Sequence, residues 1–399
     1  MTRRLKRSWL ESYLHWIADA TESPTRFHFW SAASVIGASL KRGVWVERKT
    51  FKIYPNMYTV LVGRPGVGKG AAIKPALSLL KEAGTANMLS DRITMEYVLE
   101  KLSKGFPSTS VNPLTNNLKI GMDASVLIVS DELSVFITAS QFSITALTNL
   151  WDAGDGVYGY GTRGKGEFNI TSPCVSLLGG SAPEWLCKSI PSDAVGGGFT
   201  RRVNFVLANK KDKKIAWPSM NGLKTRTDLI EDLREISQLK GEYTIAQNAR
   251  QSFEDIYNAC EPNEFDDEAT AGYKISRWAN ALKLAMVISA SRGDDLLISR
   301  EDWATAVQKT EEVTNDMGIV FRAVGEATLT SAIDKVMRFI ELKGYAKRQE
   351  VLKANWRHVT SEDLDRIIVT MREAGILGER VVGGQIEYFD ARKVVPINP

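Results

Sequence analysis

The sequence predicts an α/β protein, and three observations carry that expectation. Short apolar, β-branched runs at 57–62, 126–130, 175–181 and 203–206 have the length and content of buried strands. The first of them runs into a glycine-rich loop and then a helical pattern. Helical periodicity also fills 8–45 and 225–325, and the chain ends in three short helices followed by a two-stranded ribbon.

Bulk composition bounds the rest. The chain has 399 residues, more than one average domain, with 44% hydrophobic and 25% charged residues, as in ordinary globular proteins. No apolar run reaches membrane-spanning length. The basic start, Arg3-Arg4-Leu5-Lys6-Arg7, has no apolar stretch behind it and does not read as a secretory signal. Cys174, Cys187 and Cys260 are scattered and odd in number, which suits a reducing, cytoplasmic setting. The three histidines lie away from the cysteines, so a structural zinc site is not expected. A net charge of +4 is too small to identify a nucleic-acid partner by itself. The expected division is an N-terminal helical region (1–45), a core (46–216), a helical lid (217–327) and a C-terminal unit (328–399).

In chain order, Trp9, Leu10, Tyr13, Leu14, Trp16 and Ile17 mark a first helix. Pro24–Leu40 marks a second, with Phe27, Phe29 and Trp30 as packing residues. After the strand 57–62 and the loop, Ala72, Ala76, Leu79 and Leu80 mark a helix that stops near Gly84. The polar segment 104–119 and the charged segment 209–216 read as loops or linkers.

The loop Gly63-Arg64-Pro65-Gly66-Val67-Gly68-Lys69-Gly70 fits the phosphate-binding pattern G-x-x-x-x-G-K-[ST] except at its last position. Glycines there let backbone N–H groups turn onto phosphate oxygens at a helix N-terminus, and Lys69 would reach the β- and γ-phosphates. Gly70 and the following Ala71 lack the hydroxyl that normally meets Mg²⁺. The strand Val126–Ser130 ends in Asp131 and Glu132, the form of a Walker B element. Asp131 is the candidate metal ligand and Glu132 the candidate for polarising the attacking water. Asp131 and waters would then carry the metal, with slow turnover as one consequence.

The strand 175–180 ends in Ser181, a candidate γ-phosphate sensor that also suits a helix N-cap. Gly196-Gly197-Gly198-Phe199-Thr200-Arg201-Arg202 follows; if the protein forms a ring, Arg201 or Arg202 is the candidate arginine finger acting on a neighbouring subunit's nucleotide, and the alternative is a surface arginine pair bound to nearby carboxylates. Arg277 is a candidate second sensor or an ordinary helix-surface arginine. Residues 157–170 read as a hairpin with Arg163 and Lys165 at its tip. It either holds DNA phosphates, with Tyr158 or Tyr160 stacking on a base, or packs on an adjacent subunit. The C-terminal pattern is that of a winged helix, with several arginines available for phosphates. Its third helix opens with Glu362, Asp363 and Asp365, which would repel DNA, so a protein-contact role stays open beside a DNA-contact one.

The stretches Ser23–Trp30, Tyr54–Tyr58, the GRPGVGKG loop, Asp91–Thr94, VSDE, GGSAPEWL and GGGFTRR together resemble the phage- and plasmid-type replication ATPases. These are P-loop NTPases of the RecA/AAA+ kind, related to primase–helicase C-terminal domains. The resemblance spans roughly residues 9–310. It implies ATP and Mg²⁺ as cofactors, a homo-oligomeric ring such as a hexamer, single-stranded DNA and other replication proteins as partners, and helicase or translocase activity in a bacterial host's cytoplasm. The alternative is an ATP-controlled DNA-binding initiator or helicase loader with little unwinding. A scaffold that binds nucleotide but hydrolyses little is a third possibility. No primase segment is evident.

Overall fold

The computed structural model describes the chain except residues 1–4, 6, 91–92, 112–117, 138–140, 153, 163–165, 191–193, 196, 220–222, 265, 357–358 and 394–399. It is a mixed α/β protein around a five-stranded, all-parallel sheet. We number its strands β1 (Tyr58–Val62), β2 (Met88–Leu89), β3 (Ser125–Ser130), β4 (Cys174–Ser181) and β5 (Val203–Leu207), in the spatial order β5-β1-β4-β3-β2. Every residue of β1, β3, β4 and β5 is buried. Burial on both faces explains why these strands read as unbroken apolar runs rather than as alternation.

The helix Thr25–Leu40 is buried at every residue from Phe27 onward, a core helix of mostly apolar and small side chains. It packs against the helix Lys69–Ala83, which ends at Gly84 in the left-handed region, φ 68°. Leu223–Ser237 packs on both. Glu268–Arg292 packs on Thr25–Leu40 and on the short turn Thr200–Arg202.

The strand order positions a crevice. From β1 the chain goes to the far edge strand β2, steps back through β3 to β4, then passes over β1 to β5. Connections therefore leave β1 and β4 in opposite directions. With right-handed crossovers, this opens a cleft at the carboxyl ends of β1 and β4.

One expectation is corrected. The polar segment 104–119 is not a plain loop: Phe106–Val111 pairs antiparallel with Leu118–Asp123. The polar content masked β-branched Thr109, Val111 and Ile120, and Gly105, at φ 67°, supplies the left-handed bend that starts the hairpin. Asp123 at its end pairs with Lys41 at 2.8 Å.

The chain divides into two compact units, residues 1–321 and 322–399. The division falls within the helix Arg300–Lys343. The second unit has helices Arg348–Asn355 and Ser361–Glu373 and a three-stranded antiparallel sheet of Ala346–Lys347, Gln385–Asp390 and Leu377–Val382. Its own core contains Val336, Ile340, Leu364, Ile367, Met371 and Tyr388. Thr360 and Asp363 form a capping box at the start of the last helix. Among the described residues no helix is long and apolar enough to cross a membrane.

Candidate functional site at the carboxyl edge of the sheet

Residues 63–68 link β1 to the helix Lys69–Ala83, with Gly66 and Gly68 at φ 84° and 105°. Those angles favour glycine, and Gly68 is the helix N-cap. A Cβ on Gly63 would sit 2.5 Å from the Ala208 carbonyl oxygen and 2.7 Å from Val67 Cγ1, so the loop's first glycine is a packing requirement. Gly63 N–H also donates to the Ser181 carbonyl at 3.1 Å, which stitches the loop to the tip of β4. Lys69 Nζ donates to the loop's own carbonyls, Gly63 and Arg64. Partial burial lowers the pKa of its ammonium, while the charges of Glu132 and Glu184 pull the other way.

The acidic tip of β3 lies beside this loop. Asp131 is exposed and Glu132 half-buried. Ser181 Oγ, fully buried, donates to Glu132 Oε1 at 3.3 Å and lies near the Ala182 carbonyl oxygen at 3.2 Å. The enabling residue is Gly180. A Cβ there would meet the Asp131 carbonyl oxygen at 3.0 Å and Lys69 Cδ at 3.5 Å. A strand without a side chain at this point lets the loop helix and the acidic tip close tightly on β4 together; a Cβ would press on the Asp131 carbonyl. Lys69, Glu132 and Ser181 are thus gathered at the cleft between β1 and β4, with Asp131 at its rim.

The Gly179-Gly180 pair had a sequence signal, two glycines inside an apolar strand, which marks close backbone approach. A second wall was missed altogether. Ser23 Cβ would lie 2.9 Å from a Cβ on Gly68, and Phe27 Cζ 3.6 Å from one on Gly63. Arg26 fixes this wall by donating to the Leu207 carbonyl at 2.6 Å and to Asp316 at 2.7 Å. Asp212 accepts from Thr25 N–H and Oγ at 2.7 and 2.8 Å. The Ser-Pro-Thr-Arg-Phe run therefore buttresses the loop as well as filling core.

Gly70 lies in the first helical turn, and a Cβ there would meet only Lys74 Cε, at 4.0 Å. The missing hydroxyl is a matter of sequence, not of space. Among the described residues no group of three or more His, Cys, Asp or Glu side chains gathers as a ready-made metal cage. One exposed carboxylate at Asp131 suits Mg²⁺, which keeps several waters and takes the rest of its oxygens from phosphates.

Arg201 and Arg202 are not part of this cluster. They precede β5, whose Val203 pairs in register with Tyr58 at the start of β1. They sit at the amino edge of the sheet, about 17 Å from the loop at 3.3 Å per strand residue. Neither can reach its own chain's loop. The two arginines also differ. Arg202 is 9% exposed, donates to the Gly198 carbonyl at 2.7 Å and to Asp152 at 3.1 Å, and stacks on Trp151. Arg201 is more open, and burial together with the charge of Arg202 lowers its pKa. Arg277 is buried in an ion pair with Glu311 rather than lying on a helix surface.

The hairpin pairs Val157–Thr162 with Gly166–Thr171, and its tip, with Arg163 and Lys165, lies outside the described residues. Tyr160 is engaged by Phe142, ring centroids 4.7 Å apart. In the second unit, Arg348 pairs with Asp365, Arg372 with Glu379, and Arg380 with Glu387.

Compared with known proteins, the chain matches no family model and no curated protein sequence.

Proposed function

We propose that this protein is a P-loop ATPase of the RecA/AAA+ kind that assembles as a ring, such as a hexamer, and acts on DNA in the replication of a phage or other mobile element, in the cytoplasm of a bacterial host. The observation that carries the reading is the meeting of Lys69, Glu132 and Ser181 around Gly180 at the cleft between β1 and β4, with Asp131 at its rim. In this reading the loop from Gly63 to Gly70 and Ala71 cradles the phosphates of ATP, and Lys69 leaves the loop carbonyls for the β- and γ-phosphates. Glu132, oriented by Ser181 Oγ, accepts a hydrogen bond from the attacking water. Mg²⁺, held by Asp131, waters and the phosphates, would neutralise charge on the transferred group.

The placement of Arg201 and Arg202 at the opposite edge favours a finger that works only across a subunit boundary. Arg202 is committed to Asp152 and Gly198, so Arg201 takes the reaching role and Arg202 holds the turn. The C-terminal unit, three helices with a Gly383-Gly384 ribbon, reads as a winged helix. Because Asp365, Glu379 and Glu387 already neutralise three of its arginines, contact with another replication protein is favoured there over DNA. DNA, single-stranded in the helicase reading, is assigned to the hairpin bearing Arg163 and Lys165.

A second reading rests on Gly70. Without its hydroxyl the site would bind ATP more readily than it hydrolyses it, as an initiator or loader requires. The test is ATP hydrolysis with and without single-stranded DNA, beside a strand-separation assay. DNA stimulates hydrolysis, and Lys69→Ala lowers the rate at least a hundredfold while the melting midpoint stays within a few degrees. An unchanged rate in that variant would refute the site. Hydrolysis without strand separation would select the loader.

A further inference from the structure

At the amino edge of the sheet, away from the phosphate loop, lies a cavity of about 530 Å³, within the range of small-molecule sites. Its base holds Lys283, only 2% exposed, whose Nζ donates to Asn56 Oδ1 at 2.7 Å and lies 4.1 Å from the centre of the Trp151 ring. A fully buried ammonium is costly unless an anion faces it. Burial, chiefly, with the charge of Arg202 adding to it and Cys174 and Asp152 opposing, brings its pKa down to about 7.

The charges around the cavity do not balance. Its two carboxylates are already engaged: Asp152 by Arg202, and Asp155 by Arg42, Lys52 and the Tyr54 hydroxyl. Among the described residues neither Lys283 nor Arg201 makes an ion pair, and both line the cavity. The rim is apolar. Phe51 is 51% and Ile275 46% exposed there, large side chains for solvent to bathe. Cations at the base and an open aromatic ring at the mouth match a ligand with an anionic end and a flat apolar end.

We propose that this cavity is a second ligand site, which takes a nucleotide unit with its phosphate toward Lys283 and its base against Phe51. The unit is either a free nucleotide or one residue of a single strand, since both present the same phosphate and base. The site is separate from the phosphate loop and does not depend on how that loop is read.

The experiment uses the full chain carrying Lys69→Ala, which silences the loop. Equilibrium dialysis with labelled ADP and anisotropy with a labelled oligothymidylate measure what remains. At least one probe still binds, and adding Phe51→Ala or Lys283→Met weakens it tenfold or more. ADP binding that Phe51→Ala weakens identifies the free nucleotide as the ligand; oligothymidylate binding alone weakened by Phe51→Ala identifies the single strand, since the hairpin would hold some of that probe in either case. Phe51 is exposed, so its variant folds and decides the matter even where Lys283→Met does not. If Phe51→Ala shifts neither affinity by more than twofold, or if neither probe binds the Lys69→Ala chain, the second site does not exist. Undiminished ADP binding in Lys69→Ala that Phe51→Ala then abolishes would support this cavity and count against the loop.

Discussion

Gly70 is the residue on which the rate of the proposed reaction turns. A serine there meets nothing closer than the space now open beside Lys74 Cε, and it stands in the first helical turn where a hydroxyl can face a bound metal. Gly70→Ser is expected to raise hydrolysis severalfold and to lower the Mg²⁺ concentration for half-maximal rate, read from a metal titration. It should also stabilise the fold by about 0.5 kcal/mol, because glycine costs a helix about that much more than serine. Lys283 gives the second prediction at this scale. Its pKa is about 7 in the folded protein, against about 10.4 for an unfolded lysine. Between those values the unfolded chain binds the extra proton, so this group makes stability rise with pH from about 7 to about 10 and contributes no slope below that window. Lys283→Met is expected to flatten the rise, relative to wild type, in denaturant midpoints measured from pH 7 to 10. It should also raise the midpoint at pH 7, since a charge is no longer buried.

At the scale of elements, the loop, the acidic tip and the serine tip could all be read in the sequence, because each is a contiguous run whose residue types carry its chemistry. Their meeting could not, because it depends on strand order. Nothing local says that β4 lies between β1 and β3, although the glycines of β4 are what that position demands. The run Ser23–Phe27 was legible as part of a family resemblance and, at Phe27, as core, but not as a buttress, since that duty is to touch a loop some forty residues away in sequence. The hairpin 106–123 was hidden by its polar composition, where turn and strand signals compete. The buttress makes a prediction of its own. Arg26 ties the start of Thr25–Leu40 to the end of β5 and to Asp316, whose side chain is 12% exposed. Arg26→Ala leaves that carboxylate without its guanidinium, and loss of one partner of a largely buried pair costs about 3 kcal/mol. The expected outcome is a lower urea midpoint with an unchanged m-value, together with weaker nucleotide binding because Ser23 and Phe27 no longer brace the loop. A stability loss with undiminished binding would show that the wall is structural only.

For the whole molecule, the two edges of the sheet carry complementary halves of one proposed reaction. In the proposed reading the carboxyl edge supplies the phosphate cradle, with Glu132 to polarise water and Asp131 to hold the metal, while the amino edge presents Arg201 on a turn whose neighbour Arg202 is locked to Asp152 and Gly198. About 17 Å of strand separates them, so a single chain cannot bring them together without taking its sheet apart. The consequence is measurable as an interaction between subunits. Chains carrying Glu132→Gln keep a working Arg201 but cannot polarise water; chains carrying Arg201→Ala keep a working Glu132 but offer no finger. Each variant alone is expected to hydrolyse ATP at least a hundredfold more slowly than wild type. Mixed in equal amounts, they place some intact cradles opposite intact fingers, and activity should recover to a fraction of wild type that depends on protein concentration as the assembly does. Arg202→Ala behaves differently, because it loosens the turn that presents Arg201 within the same chain. It should lower the melting midpoint and should be complemented by Glu132→Gln chains only to the extent that it still folds. Recovery with Arg201→Ala requires a site shared across the boundary, whereas a mixture no more active than the sum of its parts would assign both arginines to holding the amino edge of the sheet.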